Sequence, residues 1–117
     1  MINFEYDLSR DIWCLVNYGK TSQNQKSPTK IYEDLILEYG EGFTKEEVAK
    51  FLGDYYKTNN IDIDSYLQSY KKEWGAIEST YRSKAEEIFG LELKEEVTVY
   101  LTANSRCPYN VQDNLFF

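Results

Sequence analysis

The spacing of apolar residues changes character several times along the chain. From Asp11 to Tyr18 (DIWCLVNY) apolar and aromatic residues are dense but have no clean period. That admits one buried helix or one strand, and the reading leans to helix. Residues 19–28 (GKTSQNQKSP) are polar and read as a mobile loop. Ser27 then reads as a helix cap with Pro28 in the first turn, where the missing proline N–H would have gone unpaired anyway. Ile31, Leu35 and Tyr39 recur every four residues, with Tyr32 and Ile36 beside them, and this makes one apolar helix face. Gly40 and Gly42 close it, because glycine tolerates the left-handed conformation of a helix end.

The sharpest local signal comes next. Thr44 with Glu47 three residues on is a capping box, and Phe43 with Val48 has the spacing of a hydrophobic staple. The helix so started carries Val48, Phe51, Leu52 and Tyr55 inward and loses its pattern at Thr58-Asn59-Asn60. Asp62 or Asp64 caps a long third helix whose apolar face is Tyr66, Tyr70, Trp74, Ile77, Tyr81 and Ile88. Glu73, Glu78, Arg82, Glu86 and Glu87 fall on its solvated faces. Gly75 interrupts that helix at a cost of about 1 kcal/mol relative to alanine, and close packing of two helices explains it better than a hinge. Phe89-Gly90 ends the helix.

The period then switches to two. Val97, Val99 and Leu101 alternate with Thr98, Tyr100 and Thr102, as in a half-buried strand. Asn104 to Asn110 (NSRCPYN) is turn-rich, and Leu115-Phe116-Phe117 is an apolar run. A lone strand leaves its edges unsatisfied. The apolar run is therefore expected to be a second strand cut short, or one finished by another part of the molecule. The expected class is α+β: three or four helices followed by a short β-strand region, with the sheet incomplete within this chain. Residues 1–117 read as a single mainly helical domain or as the N-terminal fragment of a larger one.

Composition adds constraints. A chain of 117 residues is long enough to bury a core. Its eleven tyrosines belong at core edges or interfaces, where the ring is covered and the hydroxyl finds a partner. The net charge of −7 and the lack of a basic cluster argue against nucleic acid and against an anionic membrane surface. The N-terminus, Met1 to Asp7, lacks the basic and apolar regions of a signal peptide, so a cytoplasmic location is expected.

The chain has no histidine. That removes HExxH zinc ligation and the usual base of serine or cysteine triads from these residues. Cys14 and Cys107 are too far apart for a metal knuckle and read as free thiols, at least one of them buried. Arg106 beside Cys107 could lower that thiol's pKa, but no base or orienting partner accompanies it. Gly40-Glu41-Gly42 lacks the third glycine of a dinucleotide fingerprint and is a turn. Asn60 to Asp64 starts like a calcium loop but places Ser65 and Lys71 where glycine and glutamate belong. The pairs Glu46/Glu47, Glu86/Glu87 and Glu95/Glu96 are adjacent and point apart. No catalytic, cofactor-binding or metal-ligating residue is assigned, and no cofactor.

The strand Val97–Thr102, followed by Arg106-Cys107-Pro108-Tyr109 and Leu115-Phe116-Phe117, resembles a segment of uncharacterised bacterial gluzincin-like zinc metallopeptidases. The upstream Trp74-Gly75-Ala76-Ile77-Glu78 helix ending at Ile88-Phe89-Gly90 is similar to the helix that leads into that segment. The resemblance covers mainly residues 70–117. It implies that the zinc ligands and general base lie beyond Phe117, and that the Val97–Leu101 strand lines the upper edge of a substrate cleft. Two functions are therefore expected as alternatives. In one, the chain is the non-catalytic N-terminal part of a zinc-dependent peptidase, inactive alone, whose partner is the missing C-terminal region of the same protein. In the other, it is a small acidic binding or regulatory module for a protein partner.

Overall fold

The structure, a computed structural model, describes residues 2–21, 26–90, 96–106, 109–110 and 115–116. The chain opens with strand β1 (Ile2–Glu5), followed by helices α1 (Leu8–Tyr18), α2 (Lys30–Tyr39), α3 (Lys45–Thr58) and α4 (Ile63–Phe89). Three short strands follow: β2 (Val97–Tyr100), β3 (Tyr109–Asn110) and β4 (Leu115–Phe116). The class is α+β, as expected.

Each helix starts where a short polar side chain can accept from free backbone N–H groups. Asp7 caps α1 through the amides of Ser9 and Arg10. Thr44 and Glu47 form the expected capping box on α3, at 3.2 and 2.9 Å. Asp62, rather than Asp64, caps α4. The start of α2 differs from expectation. Thr29 is the cap, accepting from the Tyr32 amide, so Ser27 and Pro28 lie outside the helix. The reason is tertiary: the buried Thr29 hydroxyl also donates to Asn104 Oδ1 at 2.8 Å, a partner remote in sequence. Gly40 and Gly90, both at positive φ, close α2 and α4.

The core lies among the first three helices. Ile12 and Leu15 of α1, Ile31, Tyr32 and Leu35 of α2, and Val48, Phe51 and Leu52 of α3 form one buried cluster. Burying each of these side chains contributes about 1.5–3 kcal/mol. Phe43 packs against the same cluster beside Val48, as a staple should. Gly19, at the end of α1, is the one glycine held by close approach, since a Cβ there would sit 2.9 Å from Tyr32 Cβ.

The sheet is more complete than the pattern suggested. Its order is β1-β2-β4-β3, with β1 and β4 both parallel to β2 and β3 antiparallel to β4. The unforeseen strand is β1, which pairs Ile2 with Val97 through to Glu5 with Tyr100. Residues 109–110, read as loop, form β3, and 115–116 form a strand as expected. The β2 strand is consequently interior, paired on both sides. At Thr98 and Val99 it is bonded on both sides, and the edge strands of the sheet are β1 and β3.

Helix α4 departs furthest from expectation. It packs against β1, with Phe4 stacked on Tyr70 at 5.8 Å and the Ile2 amide donating to Glu78 Oε1 at 3.1 Å. None of its residues is buried. The partly covered side includes Trp74, Glu78, Arg82 and Ala85, whereas Tyr66, Tyr70, Ile77, Tyr81 and Ile88 are exposed. A Cβ on Gly75 would meet nothing within 4 Å, so no second helix packs there. Apart from Trp74 and the Tyr70 ring on Phe4, the predicted apolar stripe is not covered by the described residues.

Candidate functional site

The carboxyl ends of β1 and β2 carry the densest polar arrangement in the described residues. Asp11, in the first turn of α1, is fully buried. Its Oδ2 accepts from the Tyr6 hydroxyl at 2.9 Å and from the Tyr56 hydroxyl, and its Oδ1 accepts from the Ala103 amide at 2.9 Å. Tyr6 follows β1, Tyr56 lies in the last turn of α3 and Ala103 follows β2, so one carboxyl ties together the segment after β1, two helices and the segment after β2. Burial raises the Asp11 pKa, opposed by the donors from Tyr56, Ala103 and Tyr6. Burial, reinforced by the Asp11 charge, pushes both phenols far above their ordinary value of 10.0, so each stays a protonated donor.

A second set of bonds continues along residues 102–106. Cys14, fully buried, has its Sγ 3.6 Å from the Arg106 carbonyl and 3.9 Å from the Thr102 hydroxyl and the Asn104 side-chain amide nitrogen. Arg106 Nη1 donates to the carbonyls of Tyr18 and Gly19 at 2.9 and 3.4 Å, and Nη2 to that of Ser27. The last turn of α1 has no basic residue of its own, so Arg106 supplies the cation that a helix C-terminus favours. The role of Arg106 in these contacts is thus to fasten the end of α1. Cys107 lies outside the described residues.

Above Asp11 lies a pocket of about 210 Å³. It is lined by Tyr55 and Tyr56 of α3, Tyr66 and Tyr70 of α4, and Leu101 to Ala103 beyond β2. Ile61 and Ile63, either side of the Asp62 cap, complete the wall. The rings are in mutual contact: Tyr55 and Tyr56 edge to face at 5.7 Å, Tyr66 and Tyr70 stacked at 6.5 Å. In an open sheet with parallel strands, the carboxyl ends are where ligands are usually bound. No lysine or arginine lines this pocket.

Sequence reading named no site residue, and it passed over Asp11 as the start of an apolar segment. The only early signal was a charged residue inside a run that should be buried. Among the described residues no group of three His, Cys, Asp or Glu is placed to hold a metal, and no helix is long and apolar enough to cross a membrane. The carboxylate pairs Glu46/Glu47 and Glu86/Glu87 lie along helix surfaces, away from the pocket lining; Glu95 lies outside the described residues. No protein-family model, curated protein or solved structure matches the chain.

Proposed function

We propose that residues 1–117 form the non-catalytic N-terminal part of a zinc-dependent peptidase, inactive alone, whose catalytic part packs against α4. The observation that carries this is the uncovered stripe on that helix. Ile77, Tyr81, Ile88 and Phe89 are each at least 53% exposed along a helix of 27 residues with no buried residue. Large apolar side chains exposed one after another along a helix mark a surface that another polypeptide covers. The resemblance of residues 70–117 to gluzincin-like peptidases supplies the identity of that polypeptide. The histidine-free composition agrees, since all zinc ligands of the HExxH kind would come from it.

The test is the denatured intact mass of the protein purified from its natural source, together with its zinc content. A mass well above 13.8 kDa with zinc bound is the expected result. A mass of 13.8 kDa sinks the proposal. It would leave the second reading, an acidic module for a protein partner, which the tyrosine-lined pocket favours.

A further inference from the structure

We propose that the tyrosine-lined pocket at the carboxyl end of β1 and β2 binds an alkylammonium cation, best a quaternary ammonium group. Four tyrosines from two helices line one concavity of about 210 Å³, which suits a small organic cation and not a nucleotide. Tyr70 is stacked between Phe4 and Tyr66, and Tyr55 against Phe51, so Tyr56 and Tyr66 are the rings with a face left to offer. Aromatic faces carry negative charge density and attract a cation within about 6 Å of the ring centroid. Quaternary ammonium groups, which have no N–H to satisfy, are the cations that such cages hold best.

The surroundings favour the same sign of charge. The Tyr56 hydroxyl, at the base of the pocket, donates to the buried Asp11 carboxyl, which draws negative charge toward its ring and oxygen. Asp62 is not itself in the lining but lies in sequence between two lining residues, Ile61 and Ile63, and hydrogen bonds from Ser65 hold its carboxyl below the usual range. Among the lining side chains the Thr102 hydroxyl is already spent on the Asn104 carbonyl at 3.3 Å. With no lysine or arginine in the lining, an anion would find no counter-charge there. The assignment does not rest on the peptidase reading: it uses only residues of this chain, and its test involves neither zinc nor proteolysis.

Choline and tetramethylammonium are the probes, titrated into isotope-labelled protein and followed by amide shifts. Saturable shifts centred on Tyr55, Tyr56, Tyr66, Tyr70 and Ala103 are expected. The neutral isostere of choline, with carbon in place of the ammonium nitrogen, should bind about tenfold more weakly or worse. Tyr66→Ala and Tyr70→Ala should each weaken choline several-fold, while Tyr66→Phe keeps the ring and most of the affinity. Tyr66 is half exposed and carries the test by itself; Tyr70 also stacks on Phe4, so Tyr70→Ala is read only with a circular dichroism spectrum and urea midpoint that match the wild type. A trimethyl-lysine peptide is the second arm. Tighter binding than choline identifies a peptide side chain as the source of the cation, and equal or weaker binding identifies a free small molecule. Equal affinity for the neutral isostere overturns the proposal. So does the absence of saturable binding by any ammonium probe, or indifference to the tyrosine-to-alanine changes.

Discussion

Asp11 takes three donors from three separate parts of the chain while having no exposed surface, and this sets its energetic weight. Asp11→Ala removes the acceptor from the Tyr6 and Tyr56 hydroxyls and the Ala103 amide, which are partly buried, and a donor left unsatisfied out of reach of water costs about 1–3 kcal/mol. A loss of about 3 kcal/mol or more in urea denaturation is expected, and a change near zero would sink this account of the network. The pH dependence has a definite sign. Burial raises the folded Asp11 pKa above 3.8, so the native state holds that proton more tightly than the unfolded chain. The associated stability is complete below 3.8 and is lost as pH rises through the raised folded value. The exposed caps behave oppositely. Hydrogen bonds from Ser9 and Ser65 lower Asp7 and Asp62 below 3.8, so their contribution is present above that pH and is lost as pH falls through their folded values. Comparing wild type with Asp11→Asn and Asp62→Asn across acidic pH separates the two. The first variant should remove a slope that falls with rising pH, and the second a slope that rises. Little of this site is legible in the sequence. The partners of Asp11 lie 5, 45 and 92 positions away, and no local pattern encodes such a coincidence.

Among the elements, the helices whose apolar faces meet each other were legible, and those whose fate depends on remote partners were not. Helix α3 is an example of the first kind: its capping box and its Val48, Phe51 and Leu52 face are local, and both appear in the fold. Thr44→Ala should cost about 1 kcal/mol, read as a shift of the urea midpoint with unchanged slope. Strand β1 is an example of the second kind. Ile2-Asn3-Phe4-Glu5 does alternate apolar and polar, but four residues are too few to separate a strand from a loose terminus until β2 is placed beside them. The start of α2 was misplaced for the same reason, since Asn104 selects Thr29 over Ser27. Gly75 gives the clearest test at this scale. Helix–helix packing would make Gly75→Ala destabilising, but open space around its Cβ position leaves only the propensity difference. The substitution should stabilise by about 1 kcal/mol, and a loss of stability would mean that a second helix does lie against it.

At the scale of the whole molecule, the radius of gyration is 16.9 Å, against about 13 Å for a compact domain of this length. Helix α4 is the longest element. Its 27 residues span about 40 Å, and its C-terminal half runs beyond the α1–α3 core. A helix stabilised by packing on one side only, with exposed apolar side chains on the other, has little to hold its far end closed. Tyr81 and Ile88, at 62% and 76% exposure, contribute little to the stability of this chain by itself. Replacing either with serine should change the unfolding free energy by less than about 0.5 kcal/mol. Amide hydrogen exchange should show the same asymmetry. In residues 1–117 alone, amides of residues 80–89 exchange faster than those of α3, because the helix there opens without disturbing the core. If a further polypeptide covers the stripe in the natural protein, those same amides become protected there, and Tyr81→Ser and Ile88→Ser become costly. Equal exchange of residues 80–89 in the two contexts would mean that α4 stands uncovered in both. The apolar stripe would then need a different explanation from the one proposed for it.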